Sequence, residues 1–117
     1  MSKKLIYLAS PYTHPDKAVR EERFVAVCKV AGEMLRQGLF VYSPIAHTHP
    51  IAEVCDLPKE WQFWAAYDNE MLSNCEKLVV LKLPVWEQSC GVTTEISIAE
   101  EMGLPVEFME WKNELAN

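Results

Sequence analysis

A chain of 117 residues that is 50% hydrophobic and 24% charged has the size and composition of one folded domain over residues 1–117, able to bury a core without disulfides or a structural metal. Its net charge of −6 argues against nucleic acid as a partner, because phosphate backbones are bound mainly by clustered Lys and Arg. Four cysteines without a C-x-x-C pair, and no signal-peptide pattern or apolar run of about 20 residues, predict a reduced cytoplasmic protein with no membrane partner.

The N-terminal segment predicts a buried strand followed by a long helix. Leu5–Ala9 is a continuous apolar run that ends at a Ser-Pro pair, as expected of a strand covered on both faces of a parallel sheet. Thr13 predicts the helix cap and Pro15 the first turn, and apolar residues then recur at helical spacing until Gly38. This order of elements is typical of α/β proteins.

The middle of the chain predicts a second strand, a loop and a second helix. Residues 39–42 give the strand, and the proline-rich residues 45–58, which contain His47 and His49, are expected to be irregular. A loop of that length usually has a function. The second helix is predicted over residues 59–73.

The C-terminal part repeats the alternation of strands and helices. It predicts a strand at 78–81, a third helix that Gly91 and Thr93 introduce, a strand at 105–109 and a short closing helix at 110–116. Strands that alternate with helices, joined by right-handed crossovers, specify an α/β fold. We expect a three-layer, flavodoxin- or Rossmann-like parallel sheet of four to five strands with helices on both faces.

The carboxyl ends of the strands are where such sheets bind ligands, near the point at which the strand order reverses. This edge and the adjoining loop supply the residues that we expect to contact a substrate: Ser10, Pro11, Tyr12, Ser43, His47, Trp86, Gly91 and Thr94. Aromatic faces on which a planar ligand can stack come from Tyr12 and Trp86 near the strand ends and from a cluster in the second helix, Trp61, Phe63, Trp64 and Tyr67. Packing in the core or against a second subunit is the alternative explanation for these aromatic side chains.

Two carboxylates fall inside the apolar stripes of predicted helices. Asp68 shares a helix face with apolar residues at i, i+3, i+4 and i+7 spacing, and Glu95 does the same near the start of the next helix. Both side chains are expected to point inward, where the helix dipole favours the ionised form of Glu95 and burial opposes it. Three alternatives stay open: Glu95 is a capping-box acid that reaches back to a residue such as Val92, Glu95 is an exposed acid of the first turn, or Asp68 lies at the edge of its stripe and pairs with a surface cation.

Three blocks of the sequence follow a known pattern. Residues 3–10 hold KKLIYLAS, and residues 68–80 hold an acid-bearing helix and the following strand. The third block has Gly, three residues, Glu, a small residue two positions later, Ala and then Gly-x-Pro-Val, over residues 91–106. Together these blocks resemble the nucleoside 2-deoxyribosyltransferase family and its relatives, the deoxynucleoside monophosphate N-glycosidases, over most of the chain.

The resemblance implies an enzyme that cleaves or transfers the N-glycosidic bond of a nucleoside or nucleotide through a covalent glycosyl intermediate. By position, Glu95 is then the nucleophile, Asp68 the acid that contacts the sugar, and Tyr7 the residue that orients the glutamate. It also implies a small-molecule nucleoside or nucleotide as the partner and a homodimer or homotetramer. We expect no cofactor and no metal, since the His-Thr-His sequence at 47–49 lacks the ligand spacing of a zinc site.

Departures from the family pattern leave the substrate open. Ser97 and Leu104 stand where Gly and Lys are common, and residues 45–60 have no counterpart, so base recognition is expected to differ. The first loop lacks the glycines of a phosphate cradle, which leaves the need for a 5′-phosphate open. The alternative functions are a non-catalytic nucleotide- or sugar-binding sensor of the same fold, and cleavage of the nicotinamide bond of NAD.

Overall fold

In the computed structural model, which describes residues 4–111, four strands form one parallel sheet in the order β2-β1-β3-β4. The strands are β1 (Leu5–Ala9), β2 (Phe40–Tyr42), β3 (Lys77–Lys82) and β4 (Val106–Glu110). Strands β1 and β3 are the most deeply buried because they lie in the centre of the sheet, which explains their continuous apolar runs. The predicted α/β parallel sheet of four to five strands with helices on both faces is confirmed.

Four α-helices connect the strands of the sheet. They are α1 (Lys17–Arg36), α2 (Pro44–Cys55), α3 (Trp61–Ser73) and α4 (Cys90–Glu101), and a short 3₁₀ turn, Trp86–Gln88, precedes α4. Consecutive strands are joined by helical crossovers, as parallel strands require. Within residues 4–111, no helix combines the length and hydrophobicity needed to cross a bilayer.

The alternation of side chains along β1 divides the core into two parts. Ile6 and Leu8 belong to a core formed with α1 and the start of α2, here named the α1 face. Tyr7 and Ala9 belong to the opposite core, formed with α3 and α4 and named the α4 face. Because side chains of a strand point alternately to the two faces of its sheet, one five-residue strand serves both cores.

Residues 45–58 are mostly helical, so the prediction of an irregular loop was wrong. Pro44 is compatible with the first turn of α2, and Ser43 Oγ caps that turn by accepting a hydrogen bond from Ala46 N at 3.1 Å. Pro50 lies inside the helix and removes one internal hydrogen bond. The buried side of α2 packs against α1 and β1, and this tertiary packing outweighs the local preference that the prolines indicated.

The first helix begins later than predicted. Its cap is Asp16, whose Oδ1 accepts a backbone N–H at 2.9 Å, and α1 starts at Lys17. The prediction that Thr13 caps this helix and Pro15 opens it was therefore wrong. Thr13 Oγ1 instead donates a hydrogen bond to the backbone oxygen of Lys59 at 3.2 Å, which ties the β1–α1 loop to the segment before α3.

Helix α4 begins earlier than predicted, at Cys90 rather than at Gly91 or beyond. Its cap is Ser89, whose Oγ accepts a hydrogen bond from Val92 N at 3.2 Å. Glu95 therefore lies in the second turn of α4 instead of the first. This cap excludes the alternative in which Glu95 reaches back to Val92 as part of a capping box.

The remaining boundaries differ little from the predictions. The second strand is one residue shorter than predicted, and α3 begins two residues later. The predicted closing helix at 110–116 falls mainly outside the described residues. Of that segment, Glu110 is the last residue of β4.

Candidate active site

A cavity of about 360 Å³ opens at the carboxyl end of β1, between the β1–α1 loop, α2, α3 and the start of α4. Small-molecule sites typically measure about 300–1,000 Å³. The strand order reverses at β1, which has β2 on one side and β3 on the other, so the cavity lies where sheets of this class bind ligands. Its polar lining includes Ser10, Tyr12, His49, Lys59, Asp68 and Glu95.

The carboxyl group of Glu95 is oriented by a residue of the central strand. Glu95 is only 5% exposed and lines the cavity. The hydroxyl of Tyr7, which is fully buried on β1, donates a hydrogen bond to Glu95 Oε2. A hydrogen bond to a carboxylate fixes its position and stabilises the ionised form.

The second acid of the cavity, Asp68, comes from α3. It is 7% exposed, and its Oδ1 is buried without a hydrogen-bond partner among residues 4–111. Its negative charge raises the pKa of both Tyr7 and Glu95, although less than burial does. The pKa values of Tyr7 and Glu95 therefore depend on Asp68, although the three residues come from β1, α4 and α3.

Both acids resist ionisation because they are buried. Burial raises the pKa of Glu95 to about 8, the hydrogen bond from Tyr7 opposes this shift, and the charge of Asp68 adds to it. Burial alone raises the pKa of Asp68 to about 7. Because interacting acids titrate as a pair, the two carboxyl groups are not fully ionised together at neutral pH. Burial also raises the pKa of Tyr7, so its phenol remains a hydrogen-bond donor.

The predicted inward orientation of both acids is confirmed, since Asp68 and Glu95 are buried and line the same cavity. The alternative in which Asp68 lies at the edge of its stripe and pairs with a surface cation does not fit this burial. The apolar stripe of each helix was sufficient to predict the orientation, because an i, i+3, i+4 pattern fixes which side of a helix faces the core.

Three of the residues predicted to contact a substrate line the cavity, namely Ser10, Tyr12 and Gly91. Ser10 Oγ, like Asp68 Oδ1, is buried without a hydrogen-bond partner in the described part of the chain. A Cβ at Gly91 would lie 3.6 Å from Trp61 Cε3, which is an ordinary contact. Packing inside the protein therefore does not require a glycine at this position.

Five predicted substrate contacts lie outside the lining of the cavity: Pro11, Ser43, His47, Trp86 and Thr94. Ser43 is buried as the cap of α2. His47 is exposed, with its ring beside those of Tyr42 and Tyr67. The 3₁₀ turn brings Trp86 against Phe108 of β4, with 5.4 Å between the ring centroids.

Two tryptophans of the cavity belong to the aromatic cluster for which the sequence left stacking and core packing open. Trp61 and Trp64 belong to the first turn of α3 and line the cavity together with Asp68. Trp64 is held in place because its Nε1 donates a hydrogen bond to the backbone oxygen of Pro58 at 2.8 Å. A signal for both existed in the sequence, since they share the helical stripe of Asp68.

The two neighbouring histidines face different surroundings. Side chains two positions apart on a helix point in nearly opposite directions, and only His49 lines the cavity. Among residues 4–111, no three His, Cys, Asp or Glu side chains are grouped as ligands for a metal ion. His49 instead contacts Tyr12 and Glu21.

A larger cavity of about 720 Å³ lies between α1 and the residues Leu83, Pro84, Val85 and Trp111. Its lining includes neither Asp68 nor Glu95. We therefore place the candidate active site in the smaller cavity, because buried acids with raised pKa values in a cleft are typical of catalytic sites.

The sequence matches a described protein family over nearly all of its length. The family is a domain of unknown function, DUF1937, and the match covers residues 4–111. No curated protein matches the sequence. Because the match spans the whole sheet and its four helices, including both buried acids, the chain belongs to the DUF1937 family.

Proposed function

We propose that this protein cleaves or transfers the N-glycosidic bond of a nucleoside or nucleotide, with Glu95 as the nucleophile. The observation that carries the proposal is the pair of buried carboxyl groups from separate helices that line one cavity at the carboxyl end of β1. The hydrogen bond from Tyr7 to Glu95 supports it, because it orients one of the two acids. The resemblance of residues 91–106 to the nucleoside 2-deoxyribosyltransferase family supports the same assignment.

In the first step, a carboxylate oxygen of Glu95 attacks C1′ of the sugar as the bond from C1′ to the base nitrogen breaks. The bonding electron pair leaves with the base, and the sugar becomes an ester of Glu95. In the second step, water or a second base attacks C1′ and releases the Glu95 carboxylate. Two inversions at C1′ retain its configuration.

Asp68 is assigned to the sugar rather than to the base. Asp68 lines the cavity, and its carboxyl group can accept a hydrogen bond from a sugar hydroxyl. When Asp68 is ionised, its charge also stabilises the positive charge that develops at C1′ in the transition state. Tyr7 favours the ionised, nucleophilic form of Glu95 by donating its hydrogen bond.

The base is assigned to the two tryptophans of the cavity. Trp61 and Trp64 line it, and aromatic faces stack on nucleobases with little dependence on their identity. A volume of about 360 Å³ is in the range expected for a ligand of nucleoside size.

The test is to incubate the purified protein with a panel of nucleosides and nucleotides and to measure free base by chromatography. We expect base release from at least one member of the panel, and a loss of at least about 10³-fold in Glu95→Gln, which keeps an acceptor for Tyr7 but no nucleophile. The matched control is Glu100→Gln, since Glu100 is exposed on the same helix. Mass spectrometry with a 2-fluoro sugar analogue should detect the glycosyl ester on Glu95.

No base release by the wild-type protein, or undiminished release by Glu95→Gln, would contradict the proposed reaction. Binding of a nucleotide without turnover, measured by thermal shift, would indicate a sensor of the same fold. Release of nicotinamide from NAD in preference to a nucleobase would indicate the NAD-cleaving alternative.

A further inference from the structure

Three side chains form a continuous row of hydrogen bonds that starts at the cavity of the candidate active site and ends at a partly exposed carboxylate on α1. Tyr12 lines the cavity, and its hydroxyl is hydrogen-bonded to Nδ1 of His49. Nε2 of His49 is 2.8 Å from Oε1 of Glu21, whose side chain is 45% exposed. Glu21 also lines the larger of the two cavities. The row thus connects the candidate active site with solvent.

The hydrogen-bonding groups of the row determine the direction of the bond between His49 and Glu21. A carboxylate only accepts hydrogen bonds, so Nε2 of His49 must donate to Glu21. The other ring nitrogen, Nδ1, then accepts the proton of Tyr12 when the imidazole is neutral and donates to the oxygen of Tyr12 when the ring is charged. The hydroxyl of Tyr12 can therefore receive a proton from His49 on one side and give one to a ligand on the other.

The surroundings hold this row rigidly. His49 is only 4% exposed, and the ring of Phe24 packs against it with 4.4 Å between the centroids. Arg23 Nη1 donates hydrogen bonds to the backbone oxygens of Tyr12 and Thr13, at 3.3 and 3.0 Å. Residues held in this way are suited to proton transfer, which depends on short and fixed distances between donor and acceptor.

Tyr12 is expected to pass a proton on rather than to remain charged. Burial and the nearby carboxylate of Glu53 raise the pKa of Tyr12, and Arg20 opposes this shift. Other charged groups lie around the row: Glu21 contacts His49, Arg23 contacts the backbone of Tyr12, and Lys59 and Lys17 lie 3.3 and 3.5 Å from Glu53. The phenol is therefore the stable form of Tyr12.

We propose that Tyr12, His49 and Glu21 form a proton relay that serves the leaving base of the proposed glycosidic reaction, with Tyr12 as a further catalytic residue. This inference rests on the proposed function. As the bond to C1′ breaks, the base nitrogen takes the proton of Tyr12, and the oxygen of Tyr12 takes the Nδ1 proton of the His49 imidazolium. His49 becomes neutral and keeps the proton on Nε2, which remains hydrogen-bonded to Glu21.

The second step restores the relay. Water attacks C1′ of the sugar ester and gives a proton to the oxygen of Tyr12, whose own proton moves to Nδ1 of His49. Glu95 leaves as a carboxylate, and His49 is again an imidazolium next to Glu21. The sum of both steps is the addition of one water molecule across the glycosidic bond, so atoms and charges balance. His49 and Glu21 are positioning residues, since they act through Tyr12.

The experiment compares two leaving groups on the same sugar. A nucleoside needs a proton on its departing nitrogen, whereas the 4-nitrophenyl glycoside releases 4-nitrophenolate without one. For Tyr12→Phe, single-turnover release of base should fall by about 10²- to 10⁴-fold, the usual contribution of a general acid. Release of 4-nitrophenolate should change little. His49→Gln and Glu21→Gln should show the same selective loss to a smaller extent, without a change in KM.

Two control variants separate the relay from a structural role. Tyr67→Phe removes a hydroxyl outside the cavity lining, and Glu22→Gln changes the exposed neighbour of Glu21, so both should release both leaving groups at the wild-type rate. Circular dichroism and thermal unfolding should show that Tyr12→Phe, which keeps its ring, is folded. If the wild type accepts only nucleosides, two nucleosides whose bases differ in basicity replace the nucleoside and the 4-nitrophenyl glycoside. The rate of base release by Tyr12→Phe should then fall more for the nucleoside with the poorer leaving group.

The outcomes distinguish the relay from the proposed function. Equal losses on both leaving groups, or no loss in Tyr12→Phe, would overturn the relay and leave Glu95 as the nucleophile. Release of neither leaving group by the wild type would overturn the proposed function and the relay together.

Discussion

The two faces of the sheet share strands but differ in what they bury. On the α1 face, the residues of β1 and β3 meet apolar side chains of α1, such as Val27 and Met34. On the α4 face, the same strands meet α3 and α4, which contribute both buried carboxyl groups of the described residues. The comparison indicates that the α1 face mainly stabilises the fold. The α4 face stabilises it less, because it buries the carboxyl groups of Asp68 and Glu95.

The energies of burial explain why the two faces are not equivalent. Burial of apolar surface stabilises the folded chain by about 25 cal/mol per Å². Burial of a carboxyl group opposes folding unless the group is neutralised or well hydrogen-bonded, and Asp68 has one oxygen without a partner among residues 4–111. A second buried acid beside it adds repulsion. The burial of both acids is therefore better explained by a role in a reaction than by a contribution to the stability of the fold.

The largest expected effect is on the pH dependence of stability. In the folded chain the pKa of Glu95 is about 8 against an ordinary value of 4.5, so the folded form keeps a proton that the unfolded chain loses between these values. The free energy of unfolding should fall as pH rises through this window, by up to about 1.4 kcal/mol per pH unit for each such acid. Asp68 should add to the fall between about 3.8 and about 7.

Urea unfolding across this pH range measures the effect. The double variant Glu95→Gln, Asp68→Asn should lose most of the pH dependence, whereas the exposed Glu100→Gln should keep it. An unfolding free energy that rises with pH in the same window would show that the folded protein holds the pair ionised, and the contrast between the two faces would lose its electrostatic basis.

The next effect is expected on the α1 face. Met34 is 4% exposed in the apolar core, so Met34→Ala should lower the free energy of unfolding by about 2–5 kcal/mol through lost burial and a cavity. The kcat of the folded protein should not change, because α1 contributes no acid to the site at this position. Chemical unfolding and steady-state kinetics check both parts, and a parallel loss of kcat would mean that the two faces are coupled.

A smaller effect is expected from Tyr7→Phe, a change on the α4 face. The variant removes the hydrogen bond that opposes the raised pKa of Glu95, so the pKa of Glu95 should rise further. A hydrogen bond to a charged group contributes about 1.5–3 kcal/mol, which corresponds to a loss of about 10- to 150-fold in kcat/KM near neutral pH. The rate should recover as pH is raised, and a loss that is independent of pH would contradict this role.

The smallest effect is expected from Gly91→Ala in the first turn of α4. A Cβ at this position makes only an ordinary contact with Trp61, and helices prefer alanine by about 1 kcal/mol. The thermal midpoint should rise slightly. Because Gly91 lines the cavity, the KM for the nucleoside should rise at the same time. An unchanged KM would show that no ligand approaches the start of α4.

The sequence was sufficient to predict the sheet and the two acids because their signals are local. The apolar runs of β1 and β3 and the stripes that contain Asp68 and Glu95 can be read within a few residues. Helix α2 could not be predicted, because its stability comes from packing against α1 and not from its proline-containing sequence.

The row of Tyr12, His49 and Glu21 was equally inaccessible to sequence reasoning. Its members come from a loop and two helices, and 28 positions separate His49 from Glu21. No periodicity connects residues so far apart in the chain. Only the folded backbone, with α2 lying against α1, brings the three side chains into contact.

The burial of Asp68 has a consequence for which sugars the cavity binds. A sugar that presents a hydroxyl to the Asp68 carboxyl group supplies a donor to a residue that is only 7% exposed, whereas an otherwise identical sugar without that hydroxyl covers the carboxyl group and supplies none. Such a mismatch costs about 1–3 kcal/mol, or roughly 5- to 150-fold in affinity. Discrimination between sugars would then arise through rejection of those that lack the hydroxyl, more than through attraction of those that carry it.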